Sequence, residues 1–556
     1  MTDWRRRGPA PPGGPLVPEA DPRGSTAAQR FALALACAGF AVSAALYSDS
    51  LLDDAYIVFR YADNLVAGIG PVFNPGEWVE GFSSPLWLLL VAVGRAAGAA
   101  PESTVRVLGI SLGMGAIIAS WALGRRLAAG WPALIPALLL ALHPAHAMWS
   151  VHGLETPLFV LLVAAAFAAW GGDTPRATAA AGALFGLAFW TRPEAPLFVA
   201  ILAVAATIRG NGRRAVRLVS WFASLAIPLL TLRLLLYGSL VPNTFHAKTG
   251  GGIGRLLFGL GSARLFVQSH WVLVAACAGV AALIVHRLFI VPSRDRGFAR
   301  ALCDAPRSRA VPPLPGDIIL CGLAWSAWVV WIGGDAFPGY RFWLPVLPLA
   351  GALAGWLVAE ASGFAAFASS AMPRLARPAL LATAAAGLAV IATTARTDVL
   401  LEYSTGKEFT ARMLAVGYWL GENAPREAVI ALNYVGAVPY RSGLRTIDML
   451  GLTDPLVGRS PIRGRFRFPG HARGNGASIL DRAPELILMG GVSLAPAPTD
   501  ELFPELDSEE QIVRDARFAE RYERVQVQIS APGGSQWFAF YKRKDFAWRP
   551  ADAITP

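Results

Sequence analysis

Residues 31–54 read FALALACAGFAVSAALYSDSLLDD: an uncharged apolar run from Phe31 to Tyr47, then two adjacent carboxylates, Asp53 and Asp54. The run is long enough to cross the hydrocarbon core of a bilayer, about 30 Å. Arg5, Arg6, Arg7, Arg23 and Arg30 precede it. Basic residues concentrate on the cytoplasmic side, so the N-terminus is expected inside and the acid pair at the outer water–lipid boundary. A carboxylate held there in a many-spanning protein is a candidate general base for chemistry on a lipid-linked substrate. A solvated acidic loop is the plainer reading, and the rest of the chain decides between the two.

The chain has 556 residues, 54% hydrophobic and only 16% charged, with mean hydropathy +0.45. A soluble chain carries about a quarter charged residues, so this composition is that of an integral membrane protein. The net charge of +11 does not point to nucleic acid, because the basic residues sit in short loops between apolar runs, as in cytoplasmic loops. Cys37, Cys277 and Cys321 lie in apolar runs and Cys303 in a basic loop, none at metal-ligand spacing, so no disulfide is expected. Val42-Ser43-Ala44 resembles a signal cleavage site. The apolar core is longer than a signal core and more spans follow, so it reads as an uncleaved anchor.

Residues 1–29, rich in Pro, Gly and Arg, read as a disordered cytoplasmic tail. Residues 30–395 alternate apolar runs with short polar loops. The expected spans are 30–48, 107–123, 131–148, 155–171, 177–191, 195–208, 218–237, 270–290, 317–332, 341–360 and 378–395, about eleven. The run 84–100, which carries Arg95, is expected to lie in the interface. Arg125-Arg126, Arg176, the Arg209/Arg213/Arg214/Arg217 cluster, the Arg287–Arg309 loop and Arg374/Arg377 then all fall inside. Residues 396–556 gain charge and show period-2 patches at 428–432, 486–489 and 525–529, the pattern of a small soluble α/β domain, here placed outside. The fold class is thus a polytopic α-helical membrane protein with a C-terminal α/β domain, without internal repeats.

In this topology the non-basic polar motifs share one face: Asp53-Asp54, the loop through Asn74 and Glu80, His152-Gly-Leu-Glu155, Arg192-Pro-Glu194, Asn243-Thr-Phe-His246-Ala-Lys248, and Asp335 with Arg341. Each has a plain structural reading too. Glu155 suits a helix N-terminus. Arg192 and Glu194 suit a local ion pair, as do Asp335 and Arg341. A single histidine such as His152 is commonly a structural hydrogen-bonding group. Glycosyl transfer from a lipid-linked phosphate to a hydroxyl asks for these residue types together. A carboxylate serves as base near the acceptor oxygen, and arginine or lysine neutralises the departing phosphate. Arg192, Lys248 and Arg341 are the phosphate candidates, and Glu80, His152, Glu155, Glu194, Asn243, His246 and Asp335 complete the substrate-binding set. Asp53 and Asp54 also offer oxygen ligands to a divalent cation such as Mg²⁺, and the sequence leaves base and metal-ligand roles open.

The segment Asp53-Asp-Ala-Tyr-Ile-Val-Phe-Arg-Tyr61, continuing through Gly70-Pro-Val-Phe-Asn-Pro-Gly-Glu77 and Val79-Glu-Gly-Phe-Ser-Ser-Pro-Leu-Trp87, resembles the first extracytoplasmic loop of the GT-C membrane glycosyltransferases. Gly153–Phe159, Thr191–Glu194, Pro242–Thr244 with Ala247–Thr249, Gly333–Asp335 with Arg341, and Asp448–Asp454 are similar to later motifs of that group. The likeness is strongest to the mycobacterial terminal β-(1→2) arabinofuranosyltransferases and their bacterial relatives. It implies an inverting enzyme of the bacterial inner membrane with an extracytoplasmic C-terminal domain. It also implies a polyprenyl-phosphate sugar donor, a cell-envelope glycan or lipid acceptor, juxtamembrane helices in the first loop, and a base at Asp53 or Asp54. Asp53 is the expected base, being first in the pair, with Asp54 orienting it. The sugar is left open between arabinofuranose and another lipid-linked sugar, such as a hexose or aminoarabinose passed to lipopolysaccharide or protein. A secondary transporter is the non-enzyme rival, though transporters carry repeats and midplane charges. The stretch Arg463–His471 is expected to touch a glycan acceptor.

Overall fold

The computed structural model describes residues 25–285, 313–368, 373–462, 469–491, 494–498, 504–550 and 552–554. The first 24 residues, the whole Arg287–Arg309 loop with Cys303, and Arg463–Phe468 lie outside the described residues.

The chain opens on α1 (Ala27–Ala45), whose start is set by a capping box: Gln29 N–H donates to Thr26 Oγ1 and Thr26 N–H to Gln29 Oε1. Then follow α2 (Asp53–Val66), α3 (Pro85–Ala96), α4 (Pro101–Leu127), α5 (Ile135–Leu142), α6 (Pro144–Val151), α7 (Thr156–Trp170), α8 (Pro175–Thr191), α9 (Pro196–Ile208) and α10 (Gly212–Tyr237). Next come α11 (Asn243–Lys248), α12 (Gly252–Ser269), α13 (Trp271–Val285), α14 (Pro313–Trp331), α15 (Leu347–Ala368), α16 (Pro373–Thr394) and α17 (Arg396–Asn423). Among the described residues, six helical stretches are long and apolar enough to cross a membrane, including α1, α4, α10 and α14. Two bent pairs join them if each counts as one span: Trp131–Leu142 with Pro144–Val151, bent by 54°, and Gly252–Ser269 with Trp271–Val285, bent by 91°. The expected span 131–148 is therefore broken at His143, just before Pro144, which cannot continue a helix hydrogen-bond ladder. The expected span 270–290 is the second arm of a bent pair. Its first arm, α12, lies outside the expected spans and carries Arg255 and Arg264 within its apolar pattern.

The 12 residues of α3 reach only about 18 Å at 1.5 Å per residue, too short for the hydrocarbon core, and α3 packs on α2. Close packing of α4 depends on small residues, as between membrane helices generally. A Cβ at Gly109 would stand 1.6 Å from the Ser150 carbonyl oxygen. One end of the bundle is basic. There Arg126 Nε donates to Ala168 O at 2.8 Å, Arg209 pairs with the buried Asp317 at 2.8 Å, and Arg214 lies 3.8 Å over the Trp170 ring. The opposite end carries α2, α11 and the loops after α6, α8 and α14.

Beyond α17 the chain forms β1 (Val429–Leu432), α18 (Ala437–Ser442), β2 (Arg445–Asp448), α19 (Pro455–Gly458), α20 (Gly476–Asp481), β3 (Leu486–Ile487) and β4 (Leu494–Ala495). It ends with α21 (Asp507–Arg514), α22 (Ala516–Arg521), β5 (Tyr522–Ala531) and β6 (Gly534–Arg543). The sheet order is β2-β1-β3-β6-β4 with β5 on β6, and β1 is parallel to both β2 and β3. The period-2 patches correspond to β1, β3 and β5.

This domain is fastened to the first loop. Arg60 is buried, and its guanidinium donates to the carbonyls of Phe73, Pro439 and Leu444 at 2.8, 2.8 and 2.9 Å and to Asn74 Oδ1 at 3.2 Å. Asn74 reads the edge of β2 from both ends of its amide: Nδ2 donates to Thr446 O at 2.8 Å and Oδ1 accepts Thr446 N–H at 3.2 Å. A planar cation with five donors and an amide with both hydrogen-bonding senses are the residue types that can replace lost water around buried backbone.

Candidate active site

Where the bundle meets the C-terminal domain there is a cavity of about 630 Å³. Of the candidates, it brings together Asp53, Asp54, Arg192, Glu194, Lys248, Asp335 and Arg341. The local causes are separate. Asp53 and Asp54 open α2, where carboxylates complement the helix N-terminus. Lys248 ends the short α11, and Arg192 caps the C-terminal end of α8. Asp335 and Arg341 flank a turn closed by Tyr340, a non-glycine residue in the left-handed region at φ 60°. Its hydroxyl is held by Asp398 and, at 2.6 Å, by Ser269.

The two adjacent carboxylates differ in environment. Asp53 Oδ1 accepts the N–H of Ala437 at 2.8 Å and Oδ2 that of Gly436 at 3.2 Å, at the start of α18. The approach needs glycine: a Cβ at 436 would stand 2.1 Å from Asp53 O. Burial pushes the Asp53 carboxyl up to about 7, and the Asp54 charge adds to the rise while the two N–H groups oppose it. Asp54 makes no hydrogen bond or ion pair among the described residues and lines the cavity. Its charge acts on Lys248, Arg341, Glu402 and His471, four groups from different segments of the cavity wall.

The cations also divide. Arg341 is bidentate on Asp335, at 2.8 Å from both Nε and Nη2. Arg192 is shared between Glu155 at 3.1 Å and Glu194 at 3.4 Å. The two guanidiniums share Phe342, lying 4.5 Å (Arg192) and 4.9 Å (Arg341) from its ring centre. Lys248 and Arg255 line the cavity and have no carboxylate partner among the described residues. Lys248 keeps accessible surface toward the cavity, and its partial desolvation deep between the bundle and the C-terminal domain lowers the ammonium from its ordinary value. Arg255 Nε is buried without a hydrogen-bond partner, with its guanidinium 5.3 Å from the Trp331 ring centre. Trp328, Trp331, Phe337 and Phe342 make the apolar part of the wall.

The other candidates lie off the cavity. Glu80 is in a buried ion pair with Arg233 at 3.0 Å, each side chain 2% exposed. Asn243 Nδ2 donates to Gly451 O at 2.8 Å and Leu452 O at 3.0 Å, fixing the Asp448–Asp454 loop. Asp448 itself closes that loop by accepting the N–H groups of Leu450, Gly451 and Thr453. His152 is buried beside Trp149 and Tyr403 with neither ring nitrogen hydrogen-bonded, and burial lowers it to about 4. Glu155 touches the site through Arg192 alone. His246 is half-buried beside Phe245 and does not line the cavity. Among the described residues no three His, Cys, Asp or Glu side chains are grouped to hold a metal, and both Asp53 oxygens are occupied by backbone N–H groups. Asp53 and Asp54 therefore fit a divalent cation poorly.

Arg255 and Glu402 line the cavity without belonging to any motif legible in the sequence, and His471, the end of the Arg463–His471 stretch, lines it too. Arg255 sits on α12, outside the expected spans, and Glu402 near the start of the expected soluble domain, 396–556. For Arg233 a signal existed: an arginine inside the apolar run 218–237 needs a buried partner.

Residues 402–541 match a family described as a domain of unknown function, DUF8728. The chain is 28% identical over 361 residues to a terminal β-(1→2)-arabinofuranosyltransferase of Corynebacterium glutamicum, covering 57% of this chain and 50% of that protein. It is 30% identical over 227 residues to the protein of the same description from Mycobacterium tuberculosis, covering 36% of this chain and 35% of that one. The chain thus spans about half the length, or less, of these relatives. Among solved structures, the apo oligosaccharyltransferase of Archaeoglobus fulgidus superposes with a TM-score of 0.52 at 13% identity, over 96% of this chain and 76% of that one. That likeness is one of fold.

Proposed function

We propose that this chain, which has the fold of the GT-C membrane glycosyltransferases, transfers a sugar from a polyprenyl-phosphate donor to a hydroxyl of a cell-envelope glycan or lipid. The observation that carries this reading is the cavity itself. Among the described residues it joins the unpartnered carboxylate of Asp54 to two cations without carboxylate partners, Lys248 and Arg255, beside a wall of aromatic rings.

Asp54 accepts the proton of the acceptor hydroxyl as that oxygen attacks the anomeric carbon. The bond from that carbon to the phosphate oxygen breaks, and the polyprenyl phosphate leaves with the electron pair. Attack opposite the leaving group inverts the anomeric centre. Lys248 and Arg255 offset the charge that gathers on the departing phosphate, and such groups act most strongly where water is excluded. Arg192 and Arg341, each already neutralised by carboxylates, shape the wall and offer remaining N–H donors to the sugar. Asp53 holds the C-terminal domain over the site and fixes the helix that presents Asp54. Trp328 and Trp331, at the end of a candidate span, suit the first isoprene units.

The bundle's basic end is read as cytoplasmic by the positive-inside rule, which puts the cavity on the outer face. The terminal arabinofuranosyltransferase relatives favour arabinofuranose as the sugar. The transporter alternative is disfavoured: the unpartnered charges lie at one end of the bundle, under the C-terminal domain. The test is incubation of the purified protein with polyprenyl-phosphate-linked pentoses and hexoses, scored for sugar release or transfer. Turnover of one of them supports the reading. Turnover of a nucleotide sugar with none of the lipid-linked sugars used would overturn it.

A further inference from the structure

One wall of the cavity carries groups that the transfer step does not use. On α17, Glu402, Thr405, Gly406 and Phe409 follow one another at the spacing of a single helix face, and all four line the cavity. Asn433 and Tyr434, just after β1, line it too. The Phe409 and Tyr434 rings meet edge to face, 4.9 Å between centres at 74°.

Two polar groups in this wall are buried without partners. Glu402 is 3% exposed, and its side chain makes no hydrogen bond or ion pair among the described residues. Asn433 is 2% exposed. Its Nδ2 donates to Glu509 Oε1 at 2.5 Å, and Glu509 also accepts the N–H groups of Gly490, Glu505 and Leu506. With Nδ2 spent on Glu509, Asn433 Oδ1 is left without a protein partner. A carboxyl and an amide oxygen buried unpaired destabilise a fold that gains nothing from them. Leucine at 402 would serve a purely structural wall better.

The charged groups facing Glu402 are Asp335, Arg341 and Asp54. Two of the three are acids, so this wall repels a phosphate and suits a neutral ligand with hydroxyl donors. An aromatic edge flanked by hydrogen-bond acceptors suits a sugar ring, whose apolar C–H face packs on the rings while its hydroxyls donate to the acceptors. We propose that Glu402, Phe409, Asn433 and Tyr434 form a subsite for a neutral sugar ring of the acceptor, apart from the Lys248 and Arg255 side of the cavity. Hydroxyls of that ring donate to Glu402, whose side chain faces the cavity, Asn433 backs the wall behind it, and Phe409 with Tyr434 supports the ring's face. The subsite rests on the reading of the chain as a glycosyltransferase, but its binding can be measured without a donor.

The experiment is ligand-observed NMR titration of methyl glycosides of pentoses and hexoses, and of their disaccharides, against the full chain in nanodiscs. Wild type, Glu402→Leu, Glu402→Gln and Phe409→Ala are compared, each with its thermal unfolding midpoint. At least one sugar should bind the wild type. Glu402→Leu should weaken it about tenfold, the scale of one lost hydrogen bond, and Phe409→Ala by a comparable factor through the lost contact with the ring face. Glu402→Gln, which keeps an acceptor, should stay within a few-fold. The unfolding midpoint of Glu402→Leu should hold or rise, because an unpaired buried carboxyl is removed. Equal sugar affinity in wild type, Glu402→Leu and Phe409→Ala would overturn the subsite. So would a lowered midpoint in Glu402→Leu that Glu402→Gln restores, since Glu402 would then be structural. Absence of donor turnover in a wild type that still binds sugar through these residues would instead count against the transferase reading alone.

Discussion

The carboxylate of Asp53 accepts the backbone N–H of Ala437 at 2.8 Å, across 384 positions of sequence. The acid that opens the first loop is thereby a tie to the C-terminal domain. Its neighbour Asp54, one residue along the same helix and about 100° around it, is left to the cavity. The expectation that Asp53 is the base and Asp54 its support is reversed in the reading proposed here, because both Asp53 oxygens are engaged by backbone N–H groups while Asp54 faces the cavity with neither oxygen engaged among the described residues.

This tie should make stability depend on pH. The folded Asp53 carboxyl is raised from 3.8 to about 7, chiefly by burial. A raised pKa means that the folded state binds the proton more tightly than the unfolded one. The resulting stabilisation is full below the ordinary value near 3.8 and is lost as pH rises through about 7. Thermal or denaturant unfolding between pH 4 and 8 should show wild-type stability falling as pH rises, and Asp53→Asn should flatten that slope. An identical slope in both proteins would remove Asp53 as its source.

Lys248 and Arg255, rather than Arg192 and Arg341, should govern use of the donor phosphate. Replacing either by Ala should lower turnover by about 10²–10³-fold, the cost of removing one donor that stabilises developing negative charge. Arg192→Ala and Arg341→Ala should instead lower the unfolding midpoint, because each leaves buried carboxylates unpaired. Normal turnover in both Lys248→Ala and Arg255→Ala would rule out the assignment.

Orientation can be read by labelling exposed single cysteines placed in a background without Cys37, Cys277, Cys303 and Cys321. Ser535→Cys, on the C-terminal domain, should react with an impermeant maleimide in intact cells. Arg213→Cys, at the basic end of α10, should react only after permeabilisation. The opposite pattern would put the cavity in the cytoplasm.

Much of this architecture is legible in sequence because membranes impose coarse rules. Apolar run length marks α4, α10 and α14, and the short run at α3 departs from that rule visibly. Period-2 alternation marks β1 and β5. Strand β2 is only four residues, and β6 runs through Trp537, Phe538 and Phe540, where aromatic residues hide the alternation. The site was legible as a set of residue types but not as roles. Glu80 and Asn243 look like ligands until their partners Arg233 and the Gly451 carbonyl are seen. Pairing across hundreds of residues decides which charge is spent on structure, and no local pattern records it. Glu402 and Arg255 escaped because each sits on a helix whose exposed charges resemble a solvated face.

The division of labour within the acid pair is the central claim, and one comparison tests it most directly: turnover of a polyprenyl-phosphate sugar by wild type, Asp54→Asn and Asp53→Asn, purified side by side. Asp54→Asn should fold normally and lose about 10²–10⁴-fold in turnover, the range for removing a general base. Asp53→Asn should keep a larger share of turnover and lose the pH dependence of its stability. A dead Asp53→Asn that folds normally, beside a near-normal Asp54→Asn, would contradict the account.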